Sequence, residues 1–361
     1  MIGYEKEIEQ LRTLSNLFGP AGCESAVADW IELQLPSICD DFCRDRMGNV
    51  IALIRTGNVN ASRRRRVMIS AHMDEVGVMI TEVCEDGLLR FDTVGGIHES
   101  VLEGRRVTVG DEARRVNGVI MSKAIHHKKK EDRNKITPIS KMYIDIGARD
   151  REEAEKFISV GSFGTFDSEF YLFGKDNGYM KAKALDDRMG CSVMLDVMAS
   201  VYAKRPDADL DLYFCFTVRE EIGLSGAGTA AHKIAPELAI VLESTAVGDL
   251  PDTEYSRRVA SLGAGGVLSV MDRSTVYDRN FLKFALQTAQ QKEISVQIKK
   301  YVSGGNDAGT IHKRGEGVRT LALSVPTRYL HSPSCVVAIE DYGSVRCLTE
   351  AMIRRMQIAF P

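Results

Sequence analysis

The alternation of apolar and polar positions divides the chain into three stretches of different character. Near the N-terminus, residues 4–17 and 24–35 repeat apolar residues at helical spacing, and a turn rich in glycine and proline separates them. Two apolar runs follow, at residues 48–54 and 67–71, and their β-branched residues predict buried strands. The second run ends directly before His72. This first stretch therefore predicts helices packed against the beginning of a sheet.

The pattern changes between about residue 76 and residue 180. Short strand-like runs are separated by many turns, and helical spacing is scarce. The clearest runs cover residues 76–83, 88–91, 106–109, 118–121 and 142–146. We interpret residues 76–180 as a small β-rich domain inserted into the chain.

From residue 181 onward, strand and helix patterns alternate. Helical spacing covers about 188–204, 225–233, 279–292 and 341–357, and strand-like runs cover 210–218, 238–242, 294–302 and 320–325. Alternating strands and helices are typical of a mostly parallel sheet with helices on both faces. The sequence thus predicts an α/β fold in which residues 1–75 and 181–361 form one domain around the insert.

Composition and charge narrow the class of protein. The 361 residues are 44% hydrophobic and 27% charged, which fits a globular protein. The formal net charge is -3, so the overall field favours neither nucleic acid nor an anionic membrane as a partner. No stretch of the sequence approaches the roughly 18 apolar residues of a membrane span. Eight scattered cysteines, several of them within apolar runs, indicate reduced thiols in a cytoplasmic protein.

Residue types that bind metals recur where the predicted strands of the α/β part end, and one further pair precedes a predicted helix. The candidates are His72 and Asp74, Asp186 and Asp187, Glu220 and Glu221, Glu243, and His331. Because the carboxyl ends of parallel strands meet along one edge of a sheet, residues far apart in sequence can converge there. The sequence therefore predicts a site at that edge.

The number of candidate ligands favours two metal ions over one. Two imidazoles and three carboxylates exceed the three protein ligands of a catalytic zinc ion that keeps a water. They suit a pair of divalent ions roughly 3.5–4 Å apart, with one carboxylate bridging them. Nitrogen and oxygen donors favour Zn²⁺, Co²⁺ or Mn²⁺. The absence of cysteine from the candidates argues against a purely structural zinc site.

Each candidate taken alone has a simpler explanation. His72 would also suit a hydrogen-bonded core histidine, although Asp74, two residues later, is placed to orient an imidazole ligand. Asp186 and Asp187 would cap the helix that follows them, and we expect one to do so while the other binds metal. Glu243 is an unusual residue to end a buried strand without a partner. A metal site explains all these positions together.

With these motifs, the chain resembles the tetrahedral-aminopeptidase (TET) family of dinuclear metallopeptidases, which includes glutamyl and deblocking aminopeptidases. The matching segments occur in the family's order and reach from near the N-terminus to about residue 340. They cover residues 70–77, 94–97, 183–188, 218–224, 248–251, 303–309 and 328–333. The resemblance therefore covers most of the chain.

The resemblance implies a role for each candidate residue. The implied metal ligands are His72, Glu221, Glu243 and His331, with Asp186 bridging the two ions. Asp74 would orient His72, and Glu220 would be the general base. The resemblance also implies that the insert within about 76–180 is β-barrel-like and helps to build a homo-dodecamer.

Two positions depart from the residues that are more usual in that family. Glu243 stands where aspartate is more usual, and its extra methylene still allows ligation but can change the geometry or the metal preference. Asn306 stands where threonine is more usual, and nothing in the sequence indicates the effect.

The resulting hypothesis is hydrolysis of N-terminal residues from peptides. A metal-bridging water would lose its proton to Glu220 and attack the scissile carbonyl, and Glu220 would return the proton to the leaving amine. Three alternatives stay open. One is a glycosidase with paired carboxylates, which would not need His72 and His331. The others are a metal-dependent amidohydrolase or deacylase acting on a non-peptide amide, and a metal-binding oligomer without catalysis.

Overall fold

The computed structural model describes residues 4–111, 114–251, 253–254 and 258–359. Residues 1–3 and 360–361, which belong to the predicted α/β domain, lie outside the described residues. The described strands form an eight-stranded mixed sheet, a three-stranded sheet and a closed six-stranded antiparallel barrel. The predicted fold class, an α/β sheet flanked by helices together with a barrel, is confirmed.

The strands are β1 (Asp41–Arg44), β2 (Val50–Arg55), β3 (Arg65–His72), β4 (Gly77–Val83), β5 (Leu89–Val94), β6 (Arg106–Gly110), β7 (Arg115–Ser122), β8 (Met142–Asp145), β9 (Phe163–Phe166), β10 (Tyr171–Phe173), β11 (Tyr179–Ala182), β12 (Leu210–Thr217), β13 (Leu238–Ala246), β14 (Gly266–Leu268), β15 (Val296–Ile298), β16 (Arg319–Thr327) and β17 (Cys335–Ala338). The α-helices are α1 (Glu5–Asn16), α2 (Ser25–Gln34), α3 (Arg151–Glu155), α4 (Leu185–Ala203), α5 (Ser225–Ile234), α6 (Arg279–Gln291), α7 (Ala308–Ile311) and α8 (Ile339–Ala359).

The large sheet has the strand order β1-β2-β12-β3-β13-β16-β14-β15. Its four central strands, from β12 to β16 in this order, are parallel, and antiparallel pairs join β1, β2 and β14 to them. These central strands are buried along almost their whole length, as expected for a sheet covered on both faces. Their carboxyl ends therefore meet at one edge, inside a rigid core.

Helix α4 lies within the core instead of on its surface. Most of its residues are buried, and it packs against β3, β13, α1 and α8. Tyr342 of α8 reaches across to α4, where its hydroxyl bonds Ser192 and Asp196 at 2.9 Å each. A helix that is buried around most of its circumference is held from several sides. The residues at its N-terminus consequently have well-fixed positions.

The barrel has its own hydrophobic core. It closes in the strand order β4-β5-β8-β7-β6-β9 and is filled by residues such as Ile80, Leu89, Ile120 and Ile144. Strands β10 and β11, near the end of the predicted insert, do not join the barrel. They pair instead with β17 in the three-stranded sheet.

Some elements begin or end at different residues than the sequence predicts. Strand β13 continues past residue 242 to Ala246, because its last residues pair with the end of β16. The range of helix α4 includes Leu185, but Asp186 and Asp187 have non-helical backbone angles, so its regular turns begin at Arg188, where the sequence predicts the helix. Among the described residues, no helix combines the length and the apolar character that crossing a membrane requires.

Candidate metal centre

Parallel strand pairing brings His72, Glu243 and the Glu220-Glu221 pair to the same edge of the large sheet. His72 is the last residue of β3 and lies opposite Thr217, the last residue of β12, so the loop with both glutamates begins beside it. Strand β13 pairs with β3 on the other side. Glu243 of β13 lies next to His72, with 3.4 Å between Glu243 Oε1 and His72 Nε2. Glu243 therefore lies within a long strand, Leu238–Ala246, whereas the sequence predicted a strand that ends at residue 242, directly before Glu243.

One carboxylate, that of Asp186, lies between the two candidate imidazole ligands. Its Oδ1 is 3.3 Å from Nε2 of His72, and its Oδ2 is 3.3 Å from Nε2 of His331. Glu221 Oε1 also lies 3.3 Å from Nε2 of His331. We call His72, Asp186 and Glu243 the inner half-site, and Asp186, Glu221 and His331 the outer half-site.

The two half-sites differ in exposure. The His72 side chain is 2% exposed, whereas the His331 side chain is 30% exposed. His331 lies in the loop between β16 and β17 and has a left-handed backbone, with φ of +56°. Apart from the shared Asp186, the inner half-site is thus built from two buried strands, and the outer half-site from two loops.

The residues present fit divalent metal ions. The four contacts between histidine nitrogen and carboxylate oxygen, at 3.3–3.4 Å, are longer than charge-assisted hydrogen bonds, which are about 2.7–2.9 Å. Two ligands that each lie about 2.0–2.2 Å from one tetrahedral ion are roughly 3.3–3.6 Å apart. Asp186 Oδ1, Glu221 Oε1 and Glu243 Oε2 are buried without a hydrogen-bond partner. Buried anionic oxygens of this kind need a compensating cation.

The two adjacent aspartates at the start of α4 make different contacts. Asp187 Oδ1 accepts the N–H of Gly190 at 3.0 Å, which caps the first turn of the helix. An oxygen of Asp187 also lies within 4.8 Å of ligand atoms of His72 and Glu243. Asp186 is nevertheless the aspartate that reaches both histidines, so it is the better candidate for a shared ligand.

The carboxylate of Asp74 accepts hydrogen bonds from the main-chain N–H groups of both Glu220 and Glu221. Asp74 Oδ1 accepts the N–H of Glu220, and Asp74 Oδ2 accepts the N–H of Glu221, both at 3.0 Å. The Glu221 side chain faces His331. An oxygen of Glu220 lies within 4.8 Å of ligand atoms of both His72 and Glu221. The two glutamates are therefore fixed together, with their carboxylates at one cluster.

Both histidine rings are oriented through Nδ1 by backbone carbonyl groups. His72 Nδ1 lies 3.0 Å from the carbonyl oxygen of Asp74, and the nearest carboxylate oxygen of Asp74 is 3.6 Å away. His331 Nδ1 lies 2.8 Å from the carbonyl oxygen of Gly96. Because a carbonyl oxygen only accepts, each Nδ1 donates, so in the neutral ring Nε2 is the nitrogen whose lone pair is free to bind a metal ion. The closest contact between Asp74 and His72 thus comes from the main chain of Asp74.

The carboxylates raise the pKa of both histidines. Burial lowers the pKa of His331, but Asp186 and Glu221 outweigh this and raise it to about 12. Burial also opposes a proton on His72, yet Glu243 and Asp186 raise its pKa well above the usual value. A metal ion must therefore displace a tightly held proton from each ring, which makes metal binding depend on pH.

Burial acts in the opposite sense on the acids. Desolvation, together with neighbouring carboxylates, raises the pKa of Glu220 and Glu243 well above the usual glutamate value. The pKa of Glu221 is raised for the same main reason. A raised pKa brings a glutamate closer to the working pH of a general base.

Asp307 is a further buried acid beside the site, and sequence reasoning gave it no role. Its Oδ2 accepts the hydroxyl of Thr217 at 2.7 Å, while its Oδ1 is buried without a partner. Burial raises the pKa of Asp307 to about 6, and its charge in turn raises the pKa of Glu220. The only feature of the sequence that pointed to Asp307 was its position in the glycine-rich segment 303–309.

A buried ion cluster lies beside the site. Lys183 Nζ is 2.7 and 3.0 Å from the two carboxylate oxygens of Glu75, and Arg188 Nη2 is 3.6 Å from the same group. All three side chains are buried. Arg188 also donates to the carbonyl oxygen of Met73, the residue between His72 and Asp74. The cluster therefore helps to fix the segment that carries His72 and Asp74.

The sequence is similar to a known peptidase family over most of its length. The family described as M42 glutamyl aminopeptidase matches residues 48–348. A lysyl aminopeptidase of Pyrococcus furiosus is 28% identical to this chain, over 94% of this chain and 94% of its own length. The similarity thus includes every candidate residue of the site.

Solved structures with the same fold are similar over almost the entire chain. A TET aminopeptidase from a marine sediment Thaumarchaeota archaeon is 31% identical, with a TM-score of 0.93 over 98% of this chain and 97% of that one. The TET1 peptidase of Pyrococcus horikoshii, which can assemble into a tetrahedron or a large octahedral shell, is 31% identical, with a TM-score of 0.84 over 96% and 99% of the two chains.

Proposed function

Because the chain belongs to the M42 glutamyl aminopeptidase family and is a peptidase, we propose that it is an aminopeptidase that works with two divalent metal ions. The inner half-site would hold one ion and the outer half-site the other, with Asp186 as their shared ligand. The position of Asp186 carries this proposal, since each of its oxygens faces a different histidine at 3.3 Å. A carboxylate in this position is suited to bridge two metal ions.

Glu220 is the residue that we propose moves the proton. When bound, divalent ions of this kind polarise a carbonyl oxygen and lower the pKa of water. Glu220 takes the proton of the attacking water and later gives it to the leaving amine. The raised pKa of Glu220 supports this role, and the bond from its N–H to Asp74 keeps its main chain in place.

The surplus of carboxylates supports cleavage at a free N-terminus. Among the described residues, the cluster holds five carboxylates, one negative charge more than two divalent ions would neutralise, so a positively charged α-amino group is attracted to it. A substrate whose amine is acylated lacks this charge. We therefore propose that the enzyme removes N-terminal residues from peptides, with deacylation of a non-peptide amide as the outcome to be tested against it.

The test is a matrix of metals against substrates on the purified protein. The chelated protein is loaded with Zn²⁺, Co²⁺ or Mn²⁺ and assayed with a panel of aminoacyl anilides and the matching N-acetylated compounds. We expect turnover of the free amines only. Turnover of the acetylated compounds alone would support a deacylase, and no turnover with any metal would refute the proposal.

Two variants separate the roles of the adjacent glutamates. Glu220→Gln keeps the metal ligands, so we expect it to retain two ions and to lose about 10²–10⁴-fold in kcat. Glu221→Gln removes a ligand, so we expect fewer bound ions. Glu316→Gln, on the exposed surface, is the control. Wild-type rates in Glu220→Gln would exclude Glu220 as the general base.

We further propose a homo-oligomer in which the insert at 76–180 contacts other subunits, in the cytoplasm. The exposed apolar residues of β7, Val119 and Met121, support a contact surface on the barrel. For a dodecamer of 39.9 kDa chains, light scattering should give about 480 kDa. A mass of one chain at the working concentration would contradict this assembly.

A further inference from the structure

A turn of the barrel, Gly95-Gly96, lies directly against the outer half-site. It follows the last residue of β5, Val94. The carbonyl oxygen of Gly96 is the group that His331 Nδ1 contacts at 2.8 Å. The α-carbon of Gly95 faces Glu221 so closely that a Cβ placed there would lie 3.2 Å from Glu221 Cβ. The turn thus touches both ligands that belong to the outer half-site alone.

In the described part of the chain, the contacts that fix His72 and Glu243 come from outside the barrel. His72 Nδ1 is oriented by the carbonyl oxygen of Asp74, and Glu243 Oε1 accepts the N–H of Ser244 at 3.0 Å. His72 and Glu243 lie on neighbouring strands of the large sheet. Their positions are therefore set by the sheet.

We propose that the Gly95-Gly96 turn is a positioning element for the outer half-site, so that the barrel sets the affinity of one of the two metal positions. His331 is partly exposed and sits in a loop with a left-handed backbone, so local packing holds it less firmly than His72. The Gly96 carbonyl supplies the missing restraint and fixes the tautomer that ligates through Nε2. Acceptors of this kind commonly contribute about 10–100-fold to metal affinity. The inference rests on the two-metal site proposed above.

Glycine is required at position 95 for two separate reasons. Its φ of +85° lies in the left-handed region, where a side chain is strained. In addition, a Cβ would meet Val76 Cγ1 at 2.9 Å and Glu221 Cβ at 3.2 Å. Gly104, also in the barrel segment, offers a matched control. Its φ is +82°, yet a Cβ there would meet nothing within 4 Å.

The experiment compares metal binding by wild type, Gly95→Ala and Gly104→Ala. Chelated proteins are titrated with Co²⁺ by calorimetry, and visible absorption of the bound Co²⁺ reports the coordination of each ion. We expect two binding events in wild type and in Gly104→Ala. In Gly95→Ala we expect the first event unchanged and the second weakened about 10–100-fold.

The outcomes distinguish this inference from the proposed function. Two unchanged events in Gly95→Ala would overturn the positioning role while leaving the two-metal site intact. Equal weakening of both events would also overturn it, because the effect would not be confined to the outer half-site. A wild-type protein that binds no Co²⁺ would refute the proposed function itself.

A second variant covers a failure of Gly95→Ala to fold, which thermal unfolding of the chelated protein would reveal. Val76→Ala combined with Gly95→Ala removes the contact at 2.9 Å and keeps the one with Glu221. Val76→Ala alone is its control. We expect the weakened second event in the double variant only, and wild-type titrations of both would overturn the inference.

Discussion

Replacing Glu75 by glutamine should strongly destabilise the protein. Glu75 is the acid that contacts two buried cations, with Lys183 Nζ at 2.7 Å and Arg188 Nη2 at 3.6 Å. Their side chains are 6% and 0% exposed, so solvent cannot replace the lost charge. The glutamine fills nearly the same volume, and the main-chain bonds of Glu75 to Gly19 and Ala21 remain possible. The substitution therefore isolates the charge.

The expected loss follows from the burial of the pair. Removing one partner of a buried ion pair costs about 3–5 kcal/mol, because the other charge stays buried and uncompensated. For 361 residues, a loss of 1 kcal/mol lowers Tm by roughly 1.3 °C, so the fall should be about 4–7 °C. Burial already lowers the pKa of Lys183, and the loss of the Glu75 charge lowers it further. Lys183 then gives up its proton more easily, so the deficit should shrink as pH rises.

The assay is thermal and urea unfolding of wild type and Glu75→Gln between pH 6 and pH 9. Glu152→Gln serves as the control, since Glu152 is 89% exposed and lies 3.6 Å from the exposed Lys156. We expect no measurable change in that control. A Glu75→Gln protein as stable as wild type at pH 6 would refute the reasoning, and so would a deficit that grows with pH.

Three further predictions concern the buried acids of the site and the core. Removing metal with EDTA should lower Tm, and adding it back at 100 times its dissociation constant should restore about 2.7 kcal/mol, or roughly 3–4 °C, in differential scanning calorimetry. Thr217→Val should cost about 1–3 kcal/mol in urea unfolding because Asp307 Oδ2 loses its donor, whereas Thr217→Ser, which keeps the hydroxyl and loses only a buried methyl group, should cost about 0.8 kcal/mol. Burial raises the pKa of Asp196 to about 6 from 3.8, so its contribution to stability is present below pH 4 and is lost as pH rises to 6. The stability of Asp196→Asn relative to wild type should therefore rise by roughly 1–3 kcal/mol between pH 4 and pH 6. A difference in stability that stays the same over this range would contradict the prediction.

The sequence predicted the site best where a candidate metal ligand directly follows an apolar strand. The run 67–71 is apolar and stops at His72, and the structure ends β3 at that residue. Parallel strands then make convergence of His72 with Glu221 and Glu243 expected from topology alone. Glu243 differs in one respect, because β13 continues through Ser244 to Ala246 by pairing with β16. The polar residues from Glu243 to Thr245 gave no sign in the sequence that the strand continues, because strand patterns are recognised by their apolar residues.

Other features of the site were not predictable from residue types. The contact between His331 and Gly96 uses a backbone carbonyl, which any residue possesses. The role of Asp307 depends on burial by segments far away in sequence, and its bond to Thr217 spans 90 positions. Strand β17 likewise finds its partner β11 more than a hundred residues earlier. Local patterns carry no information on such distant partners.

The bonds of Asp74 have a consequence for the substitutions that this position tolerates. Its two carboxylate oxygens accept two adjacent N–H groups, those of Glu220 and Glu221. Asparagine has nearly the same shape, but it offers one acceptor oxygen and turns an NH₂ group toward the other N–H. Two donors would then face each other inside the protein. The isosteric replacement, which is often chosen as the mildest probe of an aspartate, is therefore a severe one here, because it forces apart the loop that carries both glutamates.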